Sequence, residues 1–176
     1  DLVDGPHEYL PSYFAAFKEL DVPIFLTMGN HERYADFSEI RPLLEDAGLV
    51  ILRNEKYEWN KLEIIGIDDA EDHDQVEEKL SDIEFDPKLF NLLMYHRPAG
   101  KKTAAERGID LMLSGHVHGG QIAPFNFIVS IFLRPVRGFH RINGMGLNVS
   151  TGTGTWGPPM RLGSRSEIAL IRLLPE

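Results

Sequence analysis

The sequence predicts an α/β sandwich in which helices lie outside a sheet-rich core. Three observations predict this class. Helical and strand patterns alternate along the first half of the chain, short apolar runs follow, and an Asn-Gly pair near the end marks a β-hairpin. The sequence has no internal repeat, low-complexity tract or linker, so residues 1–176 are expected to form a single domain.

Four segments carry the pattern of a helix. Leu10, Phe14 and Phe17 recur at helical spacing in the first segment. Gly48 and Gly108 end the second and fourth segments, because glycine commonly follows the last residue of a helix. The predicted helices cover residues 7–20, 36–47, 71–79 and 99–107.

Short apolar or alternating runs between these helices predict strands. Asn143-Gly144 favours a tight turn, because both positions of such a turn need positive φ. The predicted strands cover residues 22–27, 49–52, 56–59, 62–67, 90–95, 109–113, 138–142, 145–149 and 166–174.

Composition excludes several classes of function. The chain has no cysteine, so it has neither a disulfide framework nor a thiolate site. Its net charge of −9 argues against general nucleic-acid binding. A phosphorylated substrate stays compatible with that charge, because bound cations reverse the local field. No apolar run is long enough to span a membrane, and no signal peptide is visible.

Polar side chains of ligand type come directly after several predicted strands. In open α/β sheets the carboxyl ends of strands line the ligand site, so we expect these side chains to converge. Their mixture of oxygen and nitrogen donors suits Mn, Fe, Zn or Co better than Ca or Mg. The set consists of Asp1, Asp4, Asn30, His31, His96, His116 and His118.

Asp4 of this set, and four charged residues outside it, each have more than one interpretation. Asp4 is also a favoured cap for the first helix. Asp68 and Asp69 follow a strand, and a turn role is preferred to a site role. Arg97 and Arg161 are candidate phosphate contacts, because guanidinium matches phosphate geometry, but surface ion pairs explain them equally well.

The ordered motifs resemble those of the calcineurin-like metallophosphoesterase superfamily. They are Asp-Leu-Val-Asp-Gly from Asp1, Gly-Asn-His-Glu from Gly29, the strand-end His96, and Gly-His-Val-His from Gly115. The longer form Gly-His-Val-His-Gly-Gly-Gln resembles a bacterial, membrane-associated branch. The resemblance implies a metallophosphatase-like sandwich of two mixed β-sheets flanked by helices.

The resemblance also implies roles. Asp1 matches a carboxylate that bridges two divalent metal ions, and His118 matches a ligand of the first ion. Asn30, His96 and His116 match the other ligands of the second ion. His31 matches a histidine that protonates the leaving oxygen, and Asp4 matches the carboxylate that orients it.

One family motif, Asp-x-His upstream of the bridging aspartate, is absent from this chain. We therefore expect a fragment of a longer protein, lacking its first strand, in which at most one ion binds tightly and activity is impaired. The intact protein is expected to hydrolyse a phosphomonoester, phosphodiester or pyrophosphate. The alternative is a non-catalytic metal-binding or interaction module of the same fold.

The apolar segment 125–137 leaves its own alternatives open. A core strand or a lid on the site is preferred, and the other interpretation is a lip that dips into a membrane interface, with Arg134 and Arg137 near anionic headgroups. The expected partner is a phosphorylated small molecule or a lipid-linked substrate. The sequence does not distinguish a cytoplasmic protein from one at the periphery of a bacterial membrane.

Overall fold

The computed structural model describes residues 1–72 and 74–174. The α-helices are α1 Pro11–Phe14, α2 Asn30–Tyr34, α3 Phe37–Asp46, α4 Gln75–Asp82, α5 Lys101–Glu106 and α6 Phe125–Phe132. The strands are β1 Ile24–Thr27, β2 Leu49–Leu52, β3 Glu55–Trp59, β4 Leu62–Ile67, β5 Phe90–Tyr95, β6 Leu111–Ser114, β7 Gly138–Ile142 and β8 Met145–Val149. Short 3-10 turns cover Ala15–Glu19 and His118–Gly120.

The larger sheet has six strands in the order β3-β4-β5-β6-β8-β7. Its four central strands are parallel, and antiparallel strands close both edges. Strands buried on both faces read as near-continuous apolar runs, as β4 and β6 do. The mixed α/β class predicted from the sequence is confirmed.

The smaller sheet is the parallel pair β1–β2, with Thr27 opposite Leu52. It lies against β4, where a Cβ on Gly66 would come 2.4 Å from the Leu52 Cβ. Thr27 Oγ1 also donates to the Ile67 carbonyl over 3.0 Å. Of the two sheets in the described residues, only the larger is therefore mixed, whereas two mixed sheets were expected.

Each sheet covers its own apolar cluster. The larger sheet packs Ile65, Leu93, Met112 and Leu147 against helices α4 and α5. The smaller sheet packs with Ile40 and Leu44 of α3 and with Phe14 of α1. Burial on this scale is the main favourable contribution to folding. It fixes the strands whose carboxyl ends carry the polar side chains.

Most predicted elements lie within one or two residues of the observed ones, and two helices are shifted further. The first helix begins at Pro11 rather than residue 7, because the residue before a proline avoids helical φ and ψ and Leu10 is extended. It also continues as a 3-10 turn. The acidic helix lies at Gln75–Asp82 rather than 71–79, and His73 lies outside the described residues.

Two further segments do not form the strands predicted for them. Residues Phe125–Phe132 form helix α6, so this segment is not a core strand, and its alternatives of a lid on the site or a membrane-facing lip stay predictions. The described residues 166–174 contain no strand, and Ile168 and Leu170 are almost fully exposed. Instead of pairing with a sheet edge, this segment begins on the loop after β8, where Glu167 N–H donates to the Gly152 carbonyl.

Candidate metal centre

Three strands, β1 of the smaller sheet and β5 and β6 of the larger sheet, end beside the polar side chains. Asn30 begins α2 shortly after β1. His96 directly follows β5, and His116 comes two residues after β6. Because β5 and β6 are adjacent and parallel, their carboxyl ends bring the two histidines together.

Four donor atoms meet at this edge. His96 Nε2 lies 3.0 Å from Asn30 Oδ1, 3.0 Å from His116 Nδ1 and 2.9 Å from Asp1 Oδ2. His116 Nδ1 also lies 3.0 Å from Asn30 Oδ1. A single ring proton can satisfy only one of these close approaches.

This arrangement fits a divalent ion. Ligands about 2.1 Å from a common ion in neighbouring octahedral positions lie about 3.0 Å apart, which is the spacing found between these atoms. One carboxylate, one amide oxygen and two imidazoles form a donor set suited to borderline divalent ions. Asp1, Asn30, His96 and His116 would hold that ion.

Electrostatics keep both imidazoles in the form that binds metals. Burial, aided by the Asp1 α-amino group, lowers the pKa of His96 to about 3. Burial and the neighbouring His96 lower the pKa of His116 to about 4. Both rings are therefore neutral at pH 7, with lone pairs available to a cation.

The loop after β6 holds uncommon backbone conformations. His116 and His118 have φ of 69° and 48°, in the left-handed region that residues with a Cβ seldom adopt. Such strain persists where the surrounding structure requires it, and it concentrates at functional sites. Here it aims His116 at His96 and places His118 in the wall of the cavity beside the centre.

His31 stands beside this centre and outside the donor cluster. Its Nδ1 lies 2.7 Å from Asp4 Oδ1, and its backbone N–H donates to Asp1 Oδ1 over 3.1 Å. His31 and His118 line the same cavity as Asp1 and His116. The structure therefore brings six of the predicted site residues together around Asp1, while their roles in catalysis and metal binding stay predictions.

Glu32 has a structural role that the sequence interpretation did not assign. Its side chain is fully buried and accepts hydrogen bonds from the backbone N–H groups of Leu2, Val3 and Gly29, at 2.5, 3.1 and 2.7 Å. Burial opposes ionisation, but the Asp1 α-amino group and these donors together lower the pKa of Glu32. A charged Glu32 thus ties the segment bearing Asp1 to the start of α2.

Gly29 allows that close contact. A Cβ at this position would lie 2.0 Å from Asp1 Oδ1 and 2.5 Å from the Asp1 nitrogen. The sequence contained one cue to the Glu32 contact, because an acidic residue three positions after a helix start commonly caps that start. The partners Leu2 and Val3, about thirty residues earlier, could not be read from that cue.

The arginines predicted as phosphate contacts make other contacts. Arg97 forms a bidentate pair with the buried carboxylate of Asp69, at 2.6 and 3.2 Å. Asp69 also pairs with Arg33, and Asp68 pairs with Arg53. The two aspartates, which follow β4, thus form ion pairs with arginines rather than the turn that was preferred for them.

Arg161 holds the loops around the centre together. Its guanidinium donates to the carbonyls of His118, Thr151 and Gly154, at 3.1, 2.7 and 2.5 Å. Its Nη2 also lies 3.5 Å from His118 Nδ1. Phosphate contacts by Arg97 and Arg161 stay predictions, and the structure supplies both residues with protein acceptors.

Comparison with known proteins identifies the class to which this centre belongs. The family described as calcineurin-like phosphoesterase matches residues 1–120, which include every member of the donor cluster. The chain belongs to this family of metal-dependent hydrolases.

Individual relatives agree with that assignment. A protein of Helicobacter pylori named an uncharacterized metallophosphoesterase is 33% identical over 189 residues, covering 100% of this chain and 50% of its own length. An Aquifex aeolicus protein of the same name is 33% identical over 186 residues, covering 98% and 70%. A Bos taurus protein named a transmembrane protein with metallophosphoesterase domain is 32% identical over 199 residues, covering 98% and 44%.

The chain spans about half the length of the Helicobacter relative. No solved structure matches this chain. Within the described residues, every helix is too short or too polar to cross a membrane.

Proposed function

We propose that the protein hydrolyses a phosphoester, with divalent metal ions bound at the edge formed by β5 and β6. The observation that carries the proposal is the convergence of Asp1, Asn30, His96 and His116 beside the His31–Asp4 pair. When bound, the metal supplies Lewis-acid activation of water and charge stabilisation of the phosphoryl group.

The number of ions belongs to the proposal as well. Asp1 and the cluster of Asn30, His96 and His116 provide one complete set of donors. His118 lines the same cavity and would take part, with Asp1, in holding a second ion. The amide of Asn30 adds no negative charge to the centre, which favours an anionic substrate.

The side chains outside the cluster have separate tasks. Phosphoryl transfer requires positioning and charge stabilisation rather than a protein nucleophile. His31, oriented by Asp4, would donate a proton to the oxygen that leaves. Arg161 holds the His118 loop and the loop after β8 in place.

Hydrolysis of bis(4-nitrophenyl) phosphate in the presence of Mn²⁺ tests the proposal. We expect turnover and bound Mn²⁺ to fall together in His96→Gln. His140→Gln is the matched control, because His140 lies on β7, away from the donor cluster, and its ring hydrogen-bonds to the Arg137 carbonyl. Because residues 1–176 alone are expected to be impaired, the decisive comparison is made in a protein that carries Asp-x-His ahead of Asp1. Stoichiometric Mn²⁺ binding by that protein, without turnover of monoester, diester or pyrophosphate substrates, would instead support the non-catalytic module.

A further inference from the structure

One cavity joins the metal centre to an apolar wall. Its volume is about 220 Å³. One end is formed by polar residues of the centre, including Asn30, His31 and His116. The other end is formed by apolar side chains, namely Ile122, Phe125, Val129, Leu133 and Trp156. A group attached to a phosphate at the centre would therefore lie against hydrocarbon.

Helix α6, which supplies most of that wall, has little polar character. The segment Phe125–Phe132 contains no charged residue. None of its eight described residues is buried, and Phe127, Ile131 and Phe132 are each more than 60% exposed. Apolar side chains exposed in one contiguous group commonly mark a binding surface.

Close packing holds α6 beside the histidine loop. A Cβ on Gly120, two residues after His118, would come 2.5 Å from the Asn126 Cα. Ala123 N–H donates to the Leu162 carbonyl over 2.7 Å, and Leu162 N–H donates to the Gln121 carbonyl over 2.9 Å. The apolar wall is thereby fixed in position relative to His116 and His118.

Trp156 also lines the cavity, and hydrogen bonds hold its backbone in place. The Gln121 side chain accepts from Trp156 N–H and donates to the Trp156 carbonyl, each over 2.7 Å. Gln121 is itself buried. The two walls are thus joined through one side chain of the loop that carries the histidines.

We propose that the substrate is amphiphilic, with an alkyl or aryl group bound between α6 and Trp156 while its phosphoryl group lies at the metal centre. This inference rests on the proposed function and names its substrate class. An apolar cavity of about 150 Å³ holds a benzene ring, so this cavity has room for a ring or a short alkyl segment. Each buried methylene is expected to strengthen binding about fourfold.

Binding of alkylphosphonates tests the inference without requiring turnover. Titration calorimetry of the Mn²⁺-loaded protein with methyl-, butyl- and hexylphosphonate, below their aggregation concentrations, gives the dependence of Kd on chain length. We expect Kd to fall about fourfold for each methylene until the cavity is full. Trp156 fluorescence should change with the longer chains.

Two matched variants separate the cavity from the outer face of α6. Val129→Phe fills the cavity and should abolish the dependence on chain length while leaving methylphosphonate binding within about twofold. Ile131→Phe introduces the same side chain at an exposed position outside the cavity and should keep that dependence. Circular dichroism confirms that each variant is folded.

The outcomes are distinguishable. Binding of methylphosphonate with no gain from longer chains overturns the inference and leaves the proposed function intact. Equal effects of the two variants also overturn it, as does binding of α6 to phosphatidylglycerol vesicles without chain-length dependence, since α6 would then serve a membrane surface. If no phosphonate displaces metal-bound water or changes the Mn²⁺ relaxation signal, the proposed function and the inference both fail.

Discussion

At the residue scale, four donor atoms face one another at distances that a shared cation explains. His96 Nε2 has three acceptor-type neighbours within 3.0 Å, and it carries at most one proton. Because the pKa values of His96 and His116 are both lowered, protonation does not relieve the conflict near neutral pH. The neutral cluster is therefore ready to bind a cation.

Removal of the His31 ring should affect chemistry rather than metal binding. In His31→Ala we expect turnover of a poor leaving group to fall by about 10²–10⁴-fold, the usual contribution of a general acid. Metal content should change little, because His31 lies outside the donor cluster. Steady-state kinetics combined with metal analysis measures both quantities, and Asp4→Asn should show a smaller loss of the same kind.

Loss of metal from His31→Ala, with unchanged turnover per bound ion, would contradict this role. The role of His31 as a general acid can also be tested with substrates whose leaving groups differ in acidity. A nitrophenyl leaving group needs little protonation, so the defect should shrink as the leaving group becomes more acidic.

Acid should destabilise the metal-free protein through His96 and His116. Their folded-state pKa values, about 3 and about 4, lie below the ordinary histidine pKa of 6.5, so the unfolded chain takes up protons first as the pH falls. Stability should be full above pH 6.5 and should decline steadily toward pH 4. Urea unfolding across this range measures the decline.

The doubly substituted His96→Gln, His116→Gln protein should lose much of that pH dependence. His140→Gln is the control, and its dependence should match that of the parent protein. A parent whose stability does not change between pH 6.5 and pH 4 would show that the two rings are not held neutral by burial.

Among the helices, strands and loops, the geometry of the site depends on hydrogen bonds that hold loops against the ends of strands. Glu32 at the start of α2 holds the segment of Leu2 and Val3, while Arg161 holds the loops around His118 and Gly154. In both cases a charged side chain forms hydrogen bonds with backbone groups of other segments. Hydrogen bonds of this kind contribute more than neutral ones.

Glu32→Ala should loosen the Asp1 segment. Three backbone N–H groups lose their acceptor, and each buried unsatisfied donor costs about 1–3 kcal/mol. We expect a lower free energy of unfolding together with weaker metal binding, measured by urea unfolding and Mn²⁺ titration. Glu39→Ala, on the exposed side of α3, should change neither quantity.

Gly66→Ala should separate the two sheets. The added methyl would lie 2.4 Å from Leu52 Cβ and 2.8 Å from the Leu52 carbonyl oxygen, so strand β2 must move. Overpacking of this kind costs about 1–3 kcal/mol of stability. Gly154→Ala is the control, because a Cβ there has nothing within 4 Å, and equal thermal midpoints for the two variants would contradict this account.

At the scale of the whole molecule, the sequence predicted the class of fold and the edge of the sheet that carries the site. Asn30, His96 and His116 were found because each follows an apolar strand, and parallel strands end at the same edge. The shared position after apolar strands, together with the order of the family's motifs, predicted that the donor groups lie together, although β1 belongs to the smaller sheet and β5 and β6 to the larger one. Their distances depend on the positive φ of His116, which sequence does not reveal.

Other features depended on tertiary contacts that local patterns do not encode. The alternation in residues 166–174 resembles a strand, but a strand needs a free edge to pair with, and this segment contacts the loop after β8. The segment of α6 is rich in β-branched and aromatic residues, yet it is helical. Its close contact with Gly120 is visible only in three dimensions.

The net charge of −9 describes the whole chain, whereas the local charge at an ion-loaded metal centre has the opposite sign. A divalent ion bound by one carboxylate, one amide and two neutral imidazoles leaves a net positive charge at the site. The same centre can therefore attract a phosphate although the molecule as a whole repels it.

Anomalous scattering from a crystal loaded with Mn²⁺ would locate the bound ion directly. We predict a strong peak bonded to Asn30 Oδ1, His96 Nε2 and His116 Nδ1 at about 2.0–2.3 Å, with Asp1 as a further ligand. The peak should disappear in His96→Gln and persist in His140→Gln. A Mn²⁺ peak elsewhere in the molecule, with these three atoms unligated, would contradict the assignment of the metal centre.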